Sequence, residues 1–523
     1  MSEDKTNMNK IIKNARLDII TNNVPLSLTI ICAISIFFRI YYFPYEIPLT
    51  HDAVSYFWYA IDTNILGHFP TDYKFPNTGW PMLLSLFFGI FHSNNFVDYM
   101  TVQRLGTIVI SVLTIIPVYF LCKKFFNNSI SLMGALLFAF EPHIIQNSLL
   151  GLTDTLYIFL VTGSFVLLQS SNKKLVYLSF AIAALSALVR YEGILFIIVL
   201  TTIFFIRFRK ERKIVLKYAL AFSIYVLVLL PISYVRIQST GEDGLTNQIV
   251  AGATVTTNIA YNQSDISPSL VLFLSNGIVN LIKYTGWVMI PYFVILVPIG
   301  VILGFKRKNP HYFGIILSII VLAIPALYAY AREIQETRYL LVLMPFFSVL
   351  SLFIIDSIAN KTSRRKLFFI LLIVCIFASS WIFLELKKVD QEHEREAFAI
   401  AQQVAKFTKV TNVYEPESKY LKIATIGDDF PTLRSSTPPT ITLSTDYTSI
   451  ADFIKSNKEI SLTHIVADDN KNRPNFLKDL FSHDEKYPYL VKVFDSSDNG
   501  FKYHVKIYKI DYEKFVKNEA DAN

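Results

Sequence analysis

The chain has 523 residues, of which 53% are hydrophobic and only 17% charged, with a net charge of +8 and a mean hydropathy of +0.41. Apolar runs of about twenty residues, the length that crosses a bilayer core, recur over the first 385 positions, which excludes a soluble globular protein and predicts a polytopic membrane protein. The positive excess lies mostly in short loops flanking those runs, so it is a topology signal and does not mark a nucleic-acid-binding protein.

Residues 1–23 are polar, carry Lys5, Lys10, Lys13 and Arg16, and read as a cytoplasmic tail. The apolar run that follows is too long for a cleavable signal peptide. The predicted spans are 24–43, 104–122, 130–148, 153–170, 175–189, 192–207, 215–234, 286–304, 311–330, 338–356 and 367–385. Two further apolar stretches, 80–91 and 269–282, are ambiguous by hydropathy alone. The basic clusters are Lys123 and Lys124; Lys173 and Lys174; Arg207 to Lys213; Lys306 to Lys308; and Lys361 with Arg364 to Lys366. All of them, with the N-terminal tail, fall on one side only if neither ambiguous stretch crosses. Both are therefore read as interfacial or re-entrant helices, giving about eleven spans with the N-terminus in and the C-terminus out. Cys32, Cys122 and Cys375 lie in or at the ends of spans, far apart in sequence, and indicate neither a disulfide framework nor a thiolate metal site.

This topology places the loops 44–103 and 235–285, the turns near Asp154 and Arg190, and residues 386–523 outside. The last stretch changes character. Short β-like runs (KIATIG, TITLST, THIVAD, YLVKVF, YHVKIYKI) alternate with helical segments (IADFIKSN, NFLKDLF), which predicts a small extracytoplasmic α/β domain behind a connecting helix at 386–408. The transmembrane domain is then 24–385.

Ionisable groups at membrane depth are costly and point to function by default. Arg39, Asp52, Arg104, Glu141, Asp154, Arg190, Glu192, Arg236, Arg332, Glu336 and Arg338 all fall at or near the outer ends of spans. Carboxylates mixed with several arginines on one leaflet suit a phosphorylated lipid, because guanidinium groups bind phosphate oxygens in bidentate fashion. Asp52 sits a few residues outside the first span, ahead of the aromatic run Tyr56, Phe57, Trp58 and Tyr59, which favours the membrane interface.

The ordered stretches THDAVSYF, KFPNTGWPMLLSLFFGIF, QRLGTIVISVLTIIPVYFLCKKFF, ALLFAFEPHIIQNSLLGLTDTLYIFL, LSALVRYEGILF and ETRYLLVLMPFFSVL resemble the GT-C superfamily of membrane glycosyltransferases. The branch they resemble is that of the protein O-mannosyltransferases and aminoarabinose transferases. The resemblance covers roughly residues 24–385. The tryptophan-rich motif of oligosaccharyltransferases is missing from the tail, which argues against that branch. The resemblance implies transfer of a sugar from a polyprenyl-phosphate carrier to an acceptor hydroxyl on a protein, glycan or lipid, with inversion. It implies an integral protein of the cell membrane.

Asp52 is the candidate general base, with Asp154 as second catalytic carboxylate. Arg190 and Arg338, backed by Arg332 and Arg104, are the candidates for the departing phosphate. His51, Tyr56, Lys74, Glu192 and Tyr339 are candidate substrate contacts. A phosphate leaving group beside arginines has no strong need for a divalent ion, and no metal-ligand spacing is visible; metal dependence stays open.

Each residue has a structural competitor. Asp52 suits the N-cap of a helix starting at Ala53, and Asp154 the first turn of a span. Arg190 and Glu192 suit an ion pair with each other. Arg338 suits headgroup snorkelling, and for Arg39 snorkelling is the better reading. His51, His68 and His143 fit interfacial packing. The pairs Asp428–Asp429 and Asp468–Asp469 fit turns. The sequon at Asn262 is a chance-prone glycosylation signal. Three other functions compete: a flippase for a lipid-linked sugar, which should show repeats and midplane broken helices; a non-enzymatic assembly subunit, which leaves the one-sided charges unexplained; and hydrolysis with water as acceptor.

Overall fold

The computed structural model describes residues 23–50, 52–71, 75–261, 270–307, 309, 311–407, 413–414, 447–458, 462–471 and 473–522. His51, Lys74, Asp428, Asp429, the sequon at Asn262 and the predicted strands KIATIG and TITLST lie outside them. The chain divides into two compact units. One comprises residues 1–43, 62–90 and 102–386; the other comprises 44–61, 91–101 and 387–523.

The first unit is helical. Among the described residues, seven helices are long and apolar enough to cross a membrane: Val24–Tyr41, Phe96–Lys123, Tyr191–Phe208, Ile214–Thr240, Tyr312–Ala331, Thr337–Lys361 and Arg365–Gln403. Two bent pairs, Asn128–Ala139 with Pro142–Ser148 (54°) and Leu270–Val288 with Phe293–Lys306 (110°), raise the number to nine if each pair is one span. The sequence count of eleven adds Asp154–Leu168 and Lys173–Val189, of 15 and 17 residues. These are shorter than the ~20 residues that a full crossing takes. Gly79–Ile90, with 12 residues, is shorter still, and 269–282 is part of the sharply bent pair.

Local chemistry sets these boundaries. Asn23, Asn127 and Asn172 cap their helices by accepting from the backbone N–H of Leu26, Ile130 and Lys174. Asn128–Ala139 ends at Phe140, and the chain restarts at Pro142. Proline is suited to the first helical position, and Glu141 caps the new turn by accepting from Ile144 N at 2.7 Å. The other Glu141 oxygen lies 2.9 Å from His143 Nδ1, with both side chains buried; the bend is thus built around a polar pair. Thr337–Lys361 and Phe96–Lys123 are the most buried spans, whereas Ile214–Thr240 and Arg365–Gln403 are the least.

Arg39 does not snorkel. It is fully buried, donating to the carbonyls of Ser35 and Ala139 at 3.2 Å, to Ser111 Oγ at 2.9 Å, and to Ser35 Oγ. Four acceptors inside the helix packing hold the head where the route to the headgroups would leave them unsatisfied.

The second unit contains a four-stranded sheet in the order β1 (Val413–Tyr414), β2 (His464–Asp468), β4 (Val505–Ile510), β3 (Leu490–Asp495). β1 and β2 are parallel; the other pairs are antiparallel, with His464 opposite Lys509 and Asp468 opposite Val505. THIVAD, YLVKVF and YHVKIYKI are therefore strands, and IADFIKSN and NFLKDLF are the helices Ile450–Ser456 and Asn475–Ser482. β2 is buried on both faces. Ile465 and Ala467 join the core with Phe453, Leu477 and Leu480, while Val466 packs with Ile400, Phe494 and Ile507. The predicted connecting helix is not separate, because Arg365–Phe407 is one helix through the boundary at 385. Asp468 does more than turn the chain. Its carboxylate accepts from Arg473 Nε (2.8 Å) and Nη2 (2.6 Å) and from Tyr503 Oη (2.7 Å). Burial pushes its pKa up, but these hydrogen bonds and the Arg473 charge outweigh burial and hold it below the usual value.

Candidate active site

Asp154 reaches its position through a tight turn. Gly151 has φ +73°, a left-handed conformation that glycine adopts without steric cost, and the turn's carbonyls are held from neighbouring helices. Gln103 Nε2 (2.8 Å) and Trp80 Nε1 (3.1 Å) donate to Gly151 O, Arg104 Nε to Leu149 O (3.0 Å), and Thr107 Oγ1 to Ser148 O (2.8 Å). The helix Asp154–Leu168 then begins with its carboxylate in the first turn, where the helix dipole favours negative charge.

Arg190 follows the helix Lys173–Val189 in extended conformation (φ −141°, ψ 121°), which turns its side chain toward Asp154. Its Nη1 donates to Asp154 Oδ1, its Nη2 to Glu192 Oε1 at 3.0 Å, and Asn147 Nδ2 donates to Asp154 Oδ2 at 3.2 Å. The guanidinium lies 5.2 Å from the Tyr339 ring centroid and 6.0 Å from that of Tyr157, within cation–π range. Arg338 stands 3.4 Å from Glu336. Asp154, Tyr157, Arg190, Glu192, Arg338 and Tyr339 line one narrow recess. Asp154, Arg190 and Glu192 are 3%, 7% and 8% exposed. Glu192 Oε2 is buried and has no hydrogen-bond partner among the described residues.

The structure thus brings together five sequence candidates: Asp154, Arg190, Glu192, Arg338 and Tyr339. Arg104 is outside the recess and serves the Asp154 turn. Arg332 is exposed, 5.7 Å from the Tyr328 ring. Asp52 opens the helix Asp52–Leu66, so it is a first-turn residue and not the cap of a helix starting at Ala53. Both it and Tyr56 belong to the second unit. The aromatic run Tyr56–Tyr59 is buried throughout, so these rings pack against protein. His51 and Lys74 lie outside the described residues. Among the described residues, no group of three or more His, Cys, Asp or Glu could hold a metal ion.

The sequence reading missed the residues that build this cleft. Asn77 Oδ1 accepts from Tyr191 N at 3.1 Å. A Cβ on Gly79 would stand 2.9 Å from the nitrogen of Val189, and Trp80 holds Gly151. The stretch FPNTGW therefore grips both the Arg190 turn and the Asp154 turn. The signal was present as an Asn, a Gly and a Trp crowded into four residues of a polar loop.

The family model for dolichyl-phosphate-mannose-protein mannosyltransferases matches residues 78–237, the stretch that carries Trp80, Asp154, Arg190 and Glu192. No curated protein sequence matches the chain significantly. Among solved structures, the Archaeoglobus fulgidus oligosaccharyltransferase in complex with Zn and sulfate superposes with a TM-score of 0.52 at 14% identity, over 84% of this chain and 68% of that one. The archaeal oligosaccharyltransferase AglB from the same organism, in complex with an inhibitory peptide and a dolichol-phosphate, gives 0.50 at 12%, over 85% and 69%. The Archaeoglobus fulgidus oligosaccharyltransferase tethered to an acceptor peptide containing the NVT sequon gives 0.52 at 14%, over 84% and 69%. The chain is thus similar in fold to the GT-C membrane glycosyltransferases and, over residues 78–237, similar in sequence to the dolichyl-phosphate-mannose-protein mannosyltransferases.

Proposed function

We propose that the protein transfers a sugar from a polyprenyl-phosphate donor to an acceptor hydroxyl at the outer membrane face, with inversion. The observation that carries this reading is the pairing of two spaces on the same two helices. Asp154 and Arg190 line the charged recess, while Leu156, Leu160, Leu185, Leu188 and Val189 line an apolar groove of about 1140 Å³. A phosphate with a long apolar chain is the ligand that needs both. One solved neighbour of the same fold is in complex with an inhibitory peptide and a dolichol-phosphate, and another is tethered to an acceptor peptide, which supports a lipid donor and a protein acceptor here.

On the acceptor side, the motif order and not the recess nominates Asp52 as the base that takes the hydroxyl proton as the oxygen attacks the anomeric carbon. The anomeric C–O bond breaks, and its electron pair leaves on the lipid phosphate. Arg190 and Arg338 stabilise that growing charge. Asp154 and Glu192 orient Arg190, which makes Asp154 a positioning residue. The Oε2 atom of Glu192 accepts a hydroxyl of the donor sugar, which satisfies a buried carboxylate oxygen. The zinc of one neighbour finds no counterpart set among the described residues, and both cleft carboxylates are engaged by Arg190; no step is drawn through a metal.

The test uses full-length protein in lipid with polyprenyl-phosphate hexoses labelled in the sugar and a membrane extract as acceptor. Wild type should move label from lipid to acceptor. Asp52→Asn should bind donor and lose transfer by at least ~10²-fold, the scale of one general base. Label appearing as free sugar in both would mean hydrolysis, and intact labelled lipid crossing between leaflets would mean a flippase.

A further inference from the structure

A second apolar groove, of about 1600 Å³, lies within the first unit between the helices Val24–Tyr41, Asn128–Ala139 and Arg365–Phe407. Ile34, Leu132, Leu136 and Ile373 form its walls. All three helices begin at one end, and there the lining turns polar with Ser129, Arg365 and Lys366. The Arg365 guanidinium lies 5.6 Å from the ring of Phe369, another lining residue, which keeps the charge at the mouth. The opposite end is closed by aromatic packing, with Phe140 and Phe377 centroids 4.3 Å apart and Phe38 5.7 Å from Phe377.

Two properties choose the occupant. From Arg365 to Phe377 the helix rises about 18 Å at ~1.5 Å per residue, close to one leaflet of a ~30 Å hydrocarbon core. The chain that fits is leaflet-length, and a carrier prenyl chain would run into the aromatic floor. The mouth carries two cations on the side that the charge pattern makes cytoplasmic, where anionic lipids attract basic side chains.

We infer that this groove is a binding site for one anionic phospholipid of the inner leaflet, its acyl chain along Ile34, Leu136 and Ile373 and its phosphate at Arg365 and Lys366. Its cationic mouth lies on the side that the charge pattern makes cytoplasmic and its aromatic floor bars a long prenyl chain, so its ligand is a resident lipid. It stands independently of the transfer reaction.

The test is native mass spectrometry of the full-length protein in detergent, titrated with phosphatidylglycerol, phosphatidylcholine, undecaprenyl phosphate and inorganic phosphate. One phosphatidylglycerol should bind per chain about tenfold or more tightly than phosphatidylcholine, the scale of two juxtamembrane cations. The double variant Arg365→Gln/Lys366→Gln should lose that preference while still binding lipid. Ile34→Trp, a change at a partly exposed wall position, should weaken both lipids together. Equal binding of the two phospholipids by wild type overturns the proposal, as does a preference that survives in the double variant. Displacement of the bound phosphatidylglycerol by undecaprenyl phosphate makes the groove a carrier site, and its displacement by inorganic phosphate makes it a phosphate site; either overturns it. Should a variant be unstable, the lipid series on wild type decides alone.

Discussion

Arg190 is held between Asp154 and Glu192, and a guanidinium bonded to two buried carboxylates does not act as a separate part. Removing one partner of a buried pair leaves a charge uncompensated, at a cost of about 3–5 kcal/mol. Asp154→Asn and Arg190→Gln should therefore each lower kcat by about 10²–10³, and the double variant should fall little further, as groups that act as one unit do. Additive losses in single-turnover transfer would show that the two residues contribute independently. Glu192→Gln has a different signature. If Oε2 contacts the donor sugar, the KM for the donor should rise about tenfold, the scale of one hydrogen bond to a charged group, with a smaller change in kcat.

At the scale of elements, two glycines separate packing from function. Gly300 brings Phe293–Lys306 against Met344–Lys361 so closely that a Cβ would stand 2.0 Å from the Leu350 carbonyl oxygen. Small residues permit such approaches between membrane helices. Gly300→Ala should destabilise the protein by about 1–3 kcal/mol, seen as a lower Tm with unchanged activity per folded molecule. Gly79 meets the Val189 backbone beside Arg190. Gly79→Ala should displace the Arg190 turn and lose transfer activity beyond its loss of Tm. An equal effect of both substitutions on activity per folded molecule would remove FPNTGW from the cleft's support.

For the whole molecule, the second unit carries its own pH dependence. The Asp468 pKa is depressed in the folded state, so its contribution is complete above the unfolded value of ~3.9 and is lost as pH falls through the lower folded value. Amide exchange of β2 and β4, corrected for intrinsic rates, should show protection falling below about pH 4. In Asp468→Asn, protection should start about 2 kcal/mol lower and vary less with pH. A variant as protected as wild type would mean that the Arg473–Asp468–Tyr503 network contributes nothing to that sheet.

Composition and hydropathy alone determined a good deal. The recurrence of twenty-residue apolar runs made the helical membrane class legible, and each predicted span corresponds to a helix or a bent pair. A short apolar run in THIVAD and the alternation of Val, Lys and Ile in YHVKIYKI made the strands legible, because strand residue types and patterns are written locally. Ordered motifs carried the GT-C resemblance, and Asp154, Arg190, Glu192, Arg338 and Tyr339 were nameable because charge at membrane depth is costly. Other properties became visible only in three dimensions. Arg39 reads as a snorkelling residue from its distance to the span end, yet its acceptors at Ser111 and Ala139 lie 72 and 100 residues away. The lengths of Asp154–Leu168 and Lys173–Val189, the 110° bend after Val288 and the unbroken helix through residue 385 are likewise set by packing. The division follows from the range of the forces: burial periodicity and the cost of charge act through residue type and spacing, whereas hydrogen-bond partners and close backbone approaches depend on which distant segments the fold places side by side.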